Sequence, residues 1–175
     1  MLRQGSKTKT KVSQPDWYTD YMEQYNFNLD EAGIREQAAR ENVTHFATGI
    51  AVVNSENKIL VVHRSANDNF LAGEWELPGG GVDDGETIVM GALRELLEET
   101  GLHAETVLCR FEGFDYTTPR KPLVRQINFK VIAKPGKVKL DPLEHDAFRW
   151  IDSDDIPSLN TNPTMQRCLE NALAA

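Results

Sequence analysis

Cysteine is scarce: Cys109 and Cys168 are the only two in 175 residues. They fit no thiolate metal spacing and are too few to build a disulfide framework, so reduced thiols in a cytoplasmic protein are expected. Long hydrophobic runs are missing as well. No stretch approaches the roughly 18 apolar residues that suggest a membrane span, and the N-terminus lacks the apolar region of a signal peptide, so no membrane partner is expected. Positive charge is also in deficit, with 19 Lys and Arg against 27 Asp and Glu and a net charge of −8. That balance argues against a nucleic-acid polymer or an anionic surface as the main partner.

What the chain does have is glycine followed by acid. Gly79, Gly80 and Gly81 follow Pro78, a backbone able to take positive φ and approach a ligand closely. Asp83, Asp84 and Glu86 come next, offering capping oxygens and negative charge to a helix expected from about Glu86 to Thr100, with Gly101 ending it. On that helix Glu95, Glu98 and Glu99 fall at i, i+3 and i+4, so their carboxylates share a face, with Arg94 beside them. Like charges so spaced cost roughly 0.2–0.5 kcal/mol per pair, and one arginine cannot neutralise three acids. Oxygen donors of this charge suit Mg²⁺ or Mn²⁺ rather than zinc or copper. A divalent ion inverts the local field, so a small nucleotide becomes an acceptable ligand for an acidic protein. Ile88, Ala92, Leu96 and Leu97 form the opposite, apolar stripe that docks the helix on a sheet.

In chain order, residues 1–14 read as a flexible basic tail and 15–43 as a helical extension. Its aromatics at 17, 18, 21, 25 and 27 need cover, from packing on the main domain, a homodimer contact or the substrate pocket. A helix over 30–42 is expected, with Asp30 as cap and Ile34, Ala38 and Ala39 on one side. Residues 44–175 carry the main domain. Ile50 to Val53 and Ile59 to Val62 flank a polar turn at 54–57 as a hairpin. His63 is read as structural, Arg64 as a phosphate contact or the partner of a surface acid, and 67–69 as a loop. Strands follow at 105–114 and 125–133, joined by a loop from Tyr116 to Pro122 with a basic centre that is either a plain connection or lies over the site, then a short strand at 148–151 and a terminal helix beginning at Pro163. The order sheet, helix, sheet, helix predicts an α/β fold with a mixed central sheet between helices.

Gly80, Glu86 and the run from Arg94 to Leu102 resemble the Nudix box at every defining position, and weaker resemblance to MutT-like members extends from about residue 46 to 157. The resemblance implies an α/β/α sandwich and hydrolysis, by water and Mg²⁺, of a nucleoside diphosphate linked to another group. It implies Glu98 and Glu99 as the main metal ligands, with the carbonyl of Gly79 another. Glu95 becomes a general base or a further ligand, with Glu98 second in line as base, and Arg94 holds Glu95. Gly80, Glu86 and Gly101 are structural. Glu144, six residues before Trp150, matches a late metal-binding glutamate of MutT-like members. Asn160, after Asp154-Asp155-Ile156-Pro157, matches their base-recognising asparagine; a helix-entry polar residue is the alternative for it. Asn69 and Leu77 depart from the coenzyme A subgroup, and the NADH subgroup's downstream motif is absent. A nucleoside triphosphate is therefore the first substrate expectation, a damaged dNTP in the MutT manner among the candidates. An ADP-sugar or dinucleoside polyphosphate, with Tyr116 lining an adenosine pocket, comes second, and a nucleotide sensor without catalysis third.

Overall fold

His45–Val53 is apolar almost throughout, as a strand covered on both faces must be. In the computed structural model, which describes residues 29–66 and 71–175, this strand (β1) lies inside a mixed sheet. The basic tail, the aromatic segment before residue 29 and the loop at 67–69 lie outside the described residues. Ile59–Arg64 (β2) and Trp75–Glu76 (β3) precede a helix, Ile88–Thr100, and Ala104–Tyr116 (β4), Val124–Ala133 (β5) and His145–Ile151 (β6) follow it. The sheet order is β3-β2-β1-β5-β4, with β6 on β2. β1 and β5 run parallel, and the other pairs are antiparallel.

Glu31–Arg40 forms helix α1, Ile88–Thr100 is α2, and Pro163–Ala174 is α3. α2 packs Ile88, Ala92, Leu93 and Leu96 on one sheet face, against Ile50, Val52 and Phe129. α3 packs Met165, Cys168 and Leu169 on the other, against Ala51, Val61 and Phe111. Helices on both faces of a mixed sheet are the expected α/β/α sandwich. Burial pushes the Cys168 thiol up to about 12, and both cysteines are free. None of the helices described is long and apolar enough to cross a membrane.

Several boundaries move. α2 starts at Ile88 because Thr87, rather than Asp83, Asp84 or Glu86, is its cap, with Oγ1 accepting from Met90 N at 3.2 Å. Leu93 takes the buried position expected of Leu97, which is only half-buried. Gly101 does end the helix, at φ 67°. The hairpin turn forms, but β1 and β2 pair only at Val53 and Ile59, since residues 78–82 insert beside β1 below that point. Tyr116 is the last residue of β4 rather than the first of a loop.

Asp30 caps α1, accepting from Gly33 N at 3.0 Å. Of the side expected to pack, Ala38 is buried and Ile34 half-buried, whereas Ala39 is exposed. α1 also clasps the start of α2: Glu31 Oε2 accepts from Ile88 N at 3.1 Å, and Arg35 Nη2 donates to the Glu86 carbonyl at 2.9 Å. Glu31→Ala removes an anion from a helix N-terminus and is expected to cost about 1 kcal/mol in urea denaturation without altering metal dependence.

Candidate active site

Pro78, Gly80 and Val82 turn their backbone groups toward β1: Ile50 N donates to Pro78 O and Thr48 N to Gly80 O, both at 2.8 Å, while Val82 N donates to Phe46 O. The intervening Gly79 and Gly81 turn theirs to the opposite edge. There Gly79 N donates to Glu99 Oε2 at 2.8 Å, and Arg94 Nη2 donates to the Gly81 carbonyl at 2.8 Å. The Gly79 carbonyl takes no hydrogen bond among the described residues. Gly79 has to be glycine, since its φ is 152° and a Cβ would lie 2.0 Å from the Thr48 carbonyl oxygen. Gly80 matters for a different reason: a Cβ there would sit 2.5 Å from the Glu95 carboxyl carbon, so a side chain would displace that carboxylate. The helix carboxylates thus close directly over bare backbone.

The three helix glutamates do not share one solvated face. Glu95 and Glu99 are 7% and 3% exposed, whereas the Glu98 side chain is 54% exposed. Arg94 gathers the acids in its reach. Its Nε and Nη2 donate to the two carboxylate oxygens of Glu86 at 3.0 Å each, and its Nη1 donates to Glu95 at 2.7 Å and Glu98 at 3.1 Å. Glu86 Oε2 also accepts from Asp83 N. Arg94→Ala strands partly buried carboxylates and is expected to cost about 3 kcal/mol. Arg94→Lys keeps the charge but not the planar fork, so its kcat should also fall well below wild type. Urea midpoints and turnover measured on the same preparations check both.

Glu99 is the most stressed of these groups. Burial pushes its carboxyl well above the ordinary range; the Gly79 N–H opposes that, and the charges of Glu95, Glu76 and Glu144 add to it. Glu144, predicted from spacing, therefore lies within electrostatic reach of Glu99, immediately before β6. Among the described residues no three acids, histidines or cysteines stand drawn together as a metal cage. The donor set nonetheless fits a hard divalent cation, because a buried carboxylate that feels the charges of three other acids gains most from an oxygen-seeking ion.

Arg64 is paired with Glu76, both largely buried. Tyr116 stands close enough to feel both: burial and Glu76 push its phenol up, and Arg64 opposes them. Asn160 does not enter the terminal helix, whose cap is Asn162, accepting from Thr164 N and Met165 N; the helix-entry alternative is thus corrected. Its Nδ2 instead donates to the Gly73 carbonyl at 2.8 Å, and its own carbonyl accepts from Trp75 N, which ties the strand entrance down. His63 is structural, bonded to Asp146 and with its ring tilted against that of Trp75.

Two further residues reach this region. Glu76 was legible in principle, since strand alternation puts it on the face of Gly80, which is the helix side. Lys121 belongs to the loop whose basic centre the sequence marks; its Nζ lies 3.7 Å from where a Cβ on Gly81 would stand, a proximity set by the fold of that loop.

Residues 43–172 match the family model of the NUDIX domain. The chain is 30% identical over 129 residues to an RNA pyrophosphohydrolase of Novosphingobium aromaticivorans, covering 63% of this chain and 79% of that one. Among solved structures it resembles a MutT protein of Methanosarcina mazei, with TM-score 0.65 and 25% identity over 72% of this chain and 90% of the other. An Ap4A hydrolase of C. elegans aligns with TM-score 0.60 and 25% identity, over 75% of this chain and 96% of the other.

Proposed function

This chain belongs to the Nudix hydrolase family and is a hydrolase acting on pyrophosphate bonds, and from that premise we propose that it cleaves a free nucleoside triphosphate to the monophosphate and pyrophosphate with Mg²⁺ as cofactor. The observation that carries the reading is Glu99, 3% exposed, bonded to the glycine turn and within electrostatic reach of Glu95, Glu76 and Glu144. Glu98, Glu99, the Gly79 carbonyl and Glu144 would hold the ion. When bound, a divalent cation supplies neutralisation of phosphate charge and acidification of water. Glu95 takes the proton of the attacking water at its carboxylate, with Arg94 holding that carboxylate in place. Lys121 and the Arg64–Glu76 pair with Tyr116 flank the bound nucleotide, and Asn160, its nitrogen engaged by Gly73, offers a substrate its Oδ1.

A second reading is the triphosphorylated 5′ end of RNA, favoured by the name of the bacterial relative. The net charge of −8 weighs against a long polyanion. The test is a panel of the eight common nucleoside triphosphates, an ADP-sugar, a dinucleoside tetraphosphate and a 5′-triphosphorylated oligonucleotide, with products separated by chromatography. Pyrophosphate released from free nucleotides supports the proposal. Turnover of the oligonucleotide alone would move the RNA reading to first place, and binding without turnover would make the protein a sensor.

A further inference from the structure

The segment 82–87, between the glycine turn and α2, is held at both ends. At its start Val82 N donates to Phe46 O at 3.0 Å, which ties it to β1. Inside it, Glu86 N donates to Asp83 O at 3.1 Å and Asp83 N to Glu86 Oε2 at 3.0 Å, so the segment closes on itself. At its end the partners come from α1: Arg35 Nη2 donates to the Glu86 carbonyl at 2.9 Å, and Glu31 Oε2 accepts from Ile88 N at 3.1 Å. Arg35 is itself braced. Its Nε donates to Glu31 Oε1 at 2.8 Å, and its guanidinium carbon stands 5.1 Å from the centre of the Phe46 ring. Arg35 therefore spans the segment, lying against the residue that anchors its start and bonding the carbonyl near its end.

The Glu86 side chain carries that restraint to the acids of α2. Its two oxygens accept from Arg94 Nε and Nη2, and the remaining Arg94 donors go to Glu95, Glu98 and the Gly81 carbonyl. All five N–H groups of a guanidinium are thereby spent. The group is planar and rigid, so a shift of the Glu86 carboxylate tilts the whole plane, including the Nη1 edge that holds Glu95 and Glu98. There is little slack to absorb such a shift. A Cβ on Gly91 would meet Val82 Cγ2 at 3.1 Å and Glu86 Oε2 at 3.2 Å, so the segment lies directly on the first turns of α2. Its outer side, Asp83, Asp84 and Gly85, is exposed.

We propose that α1 belongs to the catalytic apparatus: Arg35, braced by Glu31, is a positioning residue that sets the Glu86 carboxylate and, through Arg94, the place of Glu95. Both α1 residues precede the matched domain at 43–172, so this support reaches the box from outside it. The proposal rests on the hydrolase reading above, in which Glu95 takes the proton of water. A displaced base slows the chemical step while substrate still binds, because orientation counts most in the transition state. The contribution of Arg35 is therefore to kcat rather than KM.

The test measures kcat and KM at saturating Mg²⁺, for the panel compound that wild type cleaves fastest. The variants are Arg35→Ala, Arg35→Lys, Glu86→Gln and the double variant Arg35→Ala/Glu86→Gln, with folding confirmed by circular dichroism. Arg35→Ala is expected to lose about tenfold in kcat with KM nearly unchanged, and Arg35→Lys, which keeps the charge but not the fork, to lose part of that. In the Glu86→Gln background the carboxylate link is already broken, so removing Arg35 should cost less than about twofold. Wild-type kcat in Arg35→Ala, whatever its urea midpoint, makes α1 a support of stability alone and overturns the proposal. An undiminished tenfold loss in the Glu86→Gln background overturns it as well. Where Arg35→Ala does not fold, Arg35→Lys decides by the same criteria. The Arg94 Nε–H resonance needs no turnover, and it is expected to move in both Arg35→Ala and Glu86→Gln. If wild type cleaves none of the panel, the hydrolase reading fails by itself; the positioning role then stands if that resonance moves in Arg35→Ala and falls if it stays.

Discussion

Glu99→Gln is expected to cut divalent-dependent turnover by more than about 10²-fold, since even outer residues supporting metal ligands are commonly worth 10–100-fold. The fold should survive, because an amide oxygen can still accept from Gly79 N. The metal-free protein should gain stability at neutral pH. The native Glu99 carboxyl titrates above its ordinary value of 4.5, so over the interval from 4.5 to the folded value the native state holds a proton that the unfolded chain has released. Its contribution is thus fully present below about 4.5 and is lost as pH rises through the folded pKa. Glu99→Gln should flatten that part of the stability-pH curve, and Mg²⁺ should raise the melting temperature of wild type far more than of the variant. Equal turnover at saturating Mg²⁺ would remove Glu99 from the metal site.

Glu95→Gln should behave differently, with kcat reduced about 10²–10⁴-fold and metal affinity nearly intact, as for a base acting in the transition state. The geometry behind this is specific. Arg94 holds Glu95 Oε1 at 2.7 Å, and the carboxylate closes over Gly80, whose missing Cβ leaves it room. Glu98, more than half exposed, is the comparison. Titrating each variant with Mn²⁺ by paramagnetic relaxation, alongside steady-state kinetics, separates the roles. A loss confined to metal affinity in Glu95→Gln would place Glu95 among the ligands and pass the proton to Glu98.

Local rules determined much of this protein from its sequence. The box reads at fixed spacing, Gly101 stops the helix because its φ of 67° is strained for other residues, and apolar runs with period 2 or 3.6 marked the sheet and its helices. Pairing of Arg64 with a surface acid was one of two readings open to it, and its partner Glu76 is instead largely buried. What the sequence left undecided depends on which strands meet. Helical spacing puts Glu95, Glu98 and Glu99 side by side, but only the packing of α2 against 78–82 buries two and leaves one in solvent. The cap is Thr87, and α1, far away in sequence, adds Glu31 and Arg35 to the same helix start. Lys121 reaches the site, and Glu76 becomes the acid that Arg64 meets, through pairings and loop folding between segments distant in the chain. No periodicity encodes those contacts, so they belonged to the tertiary structure alone.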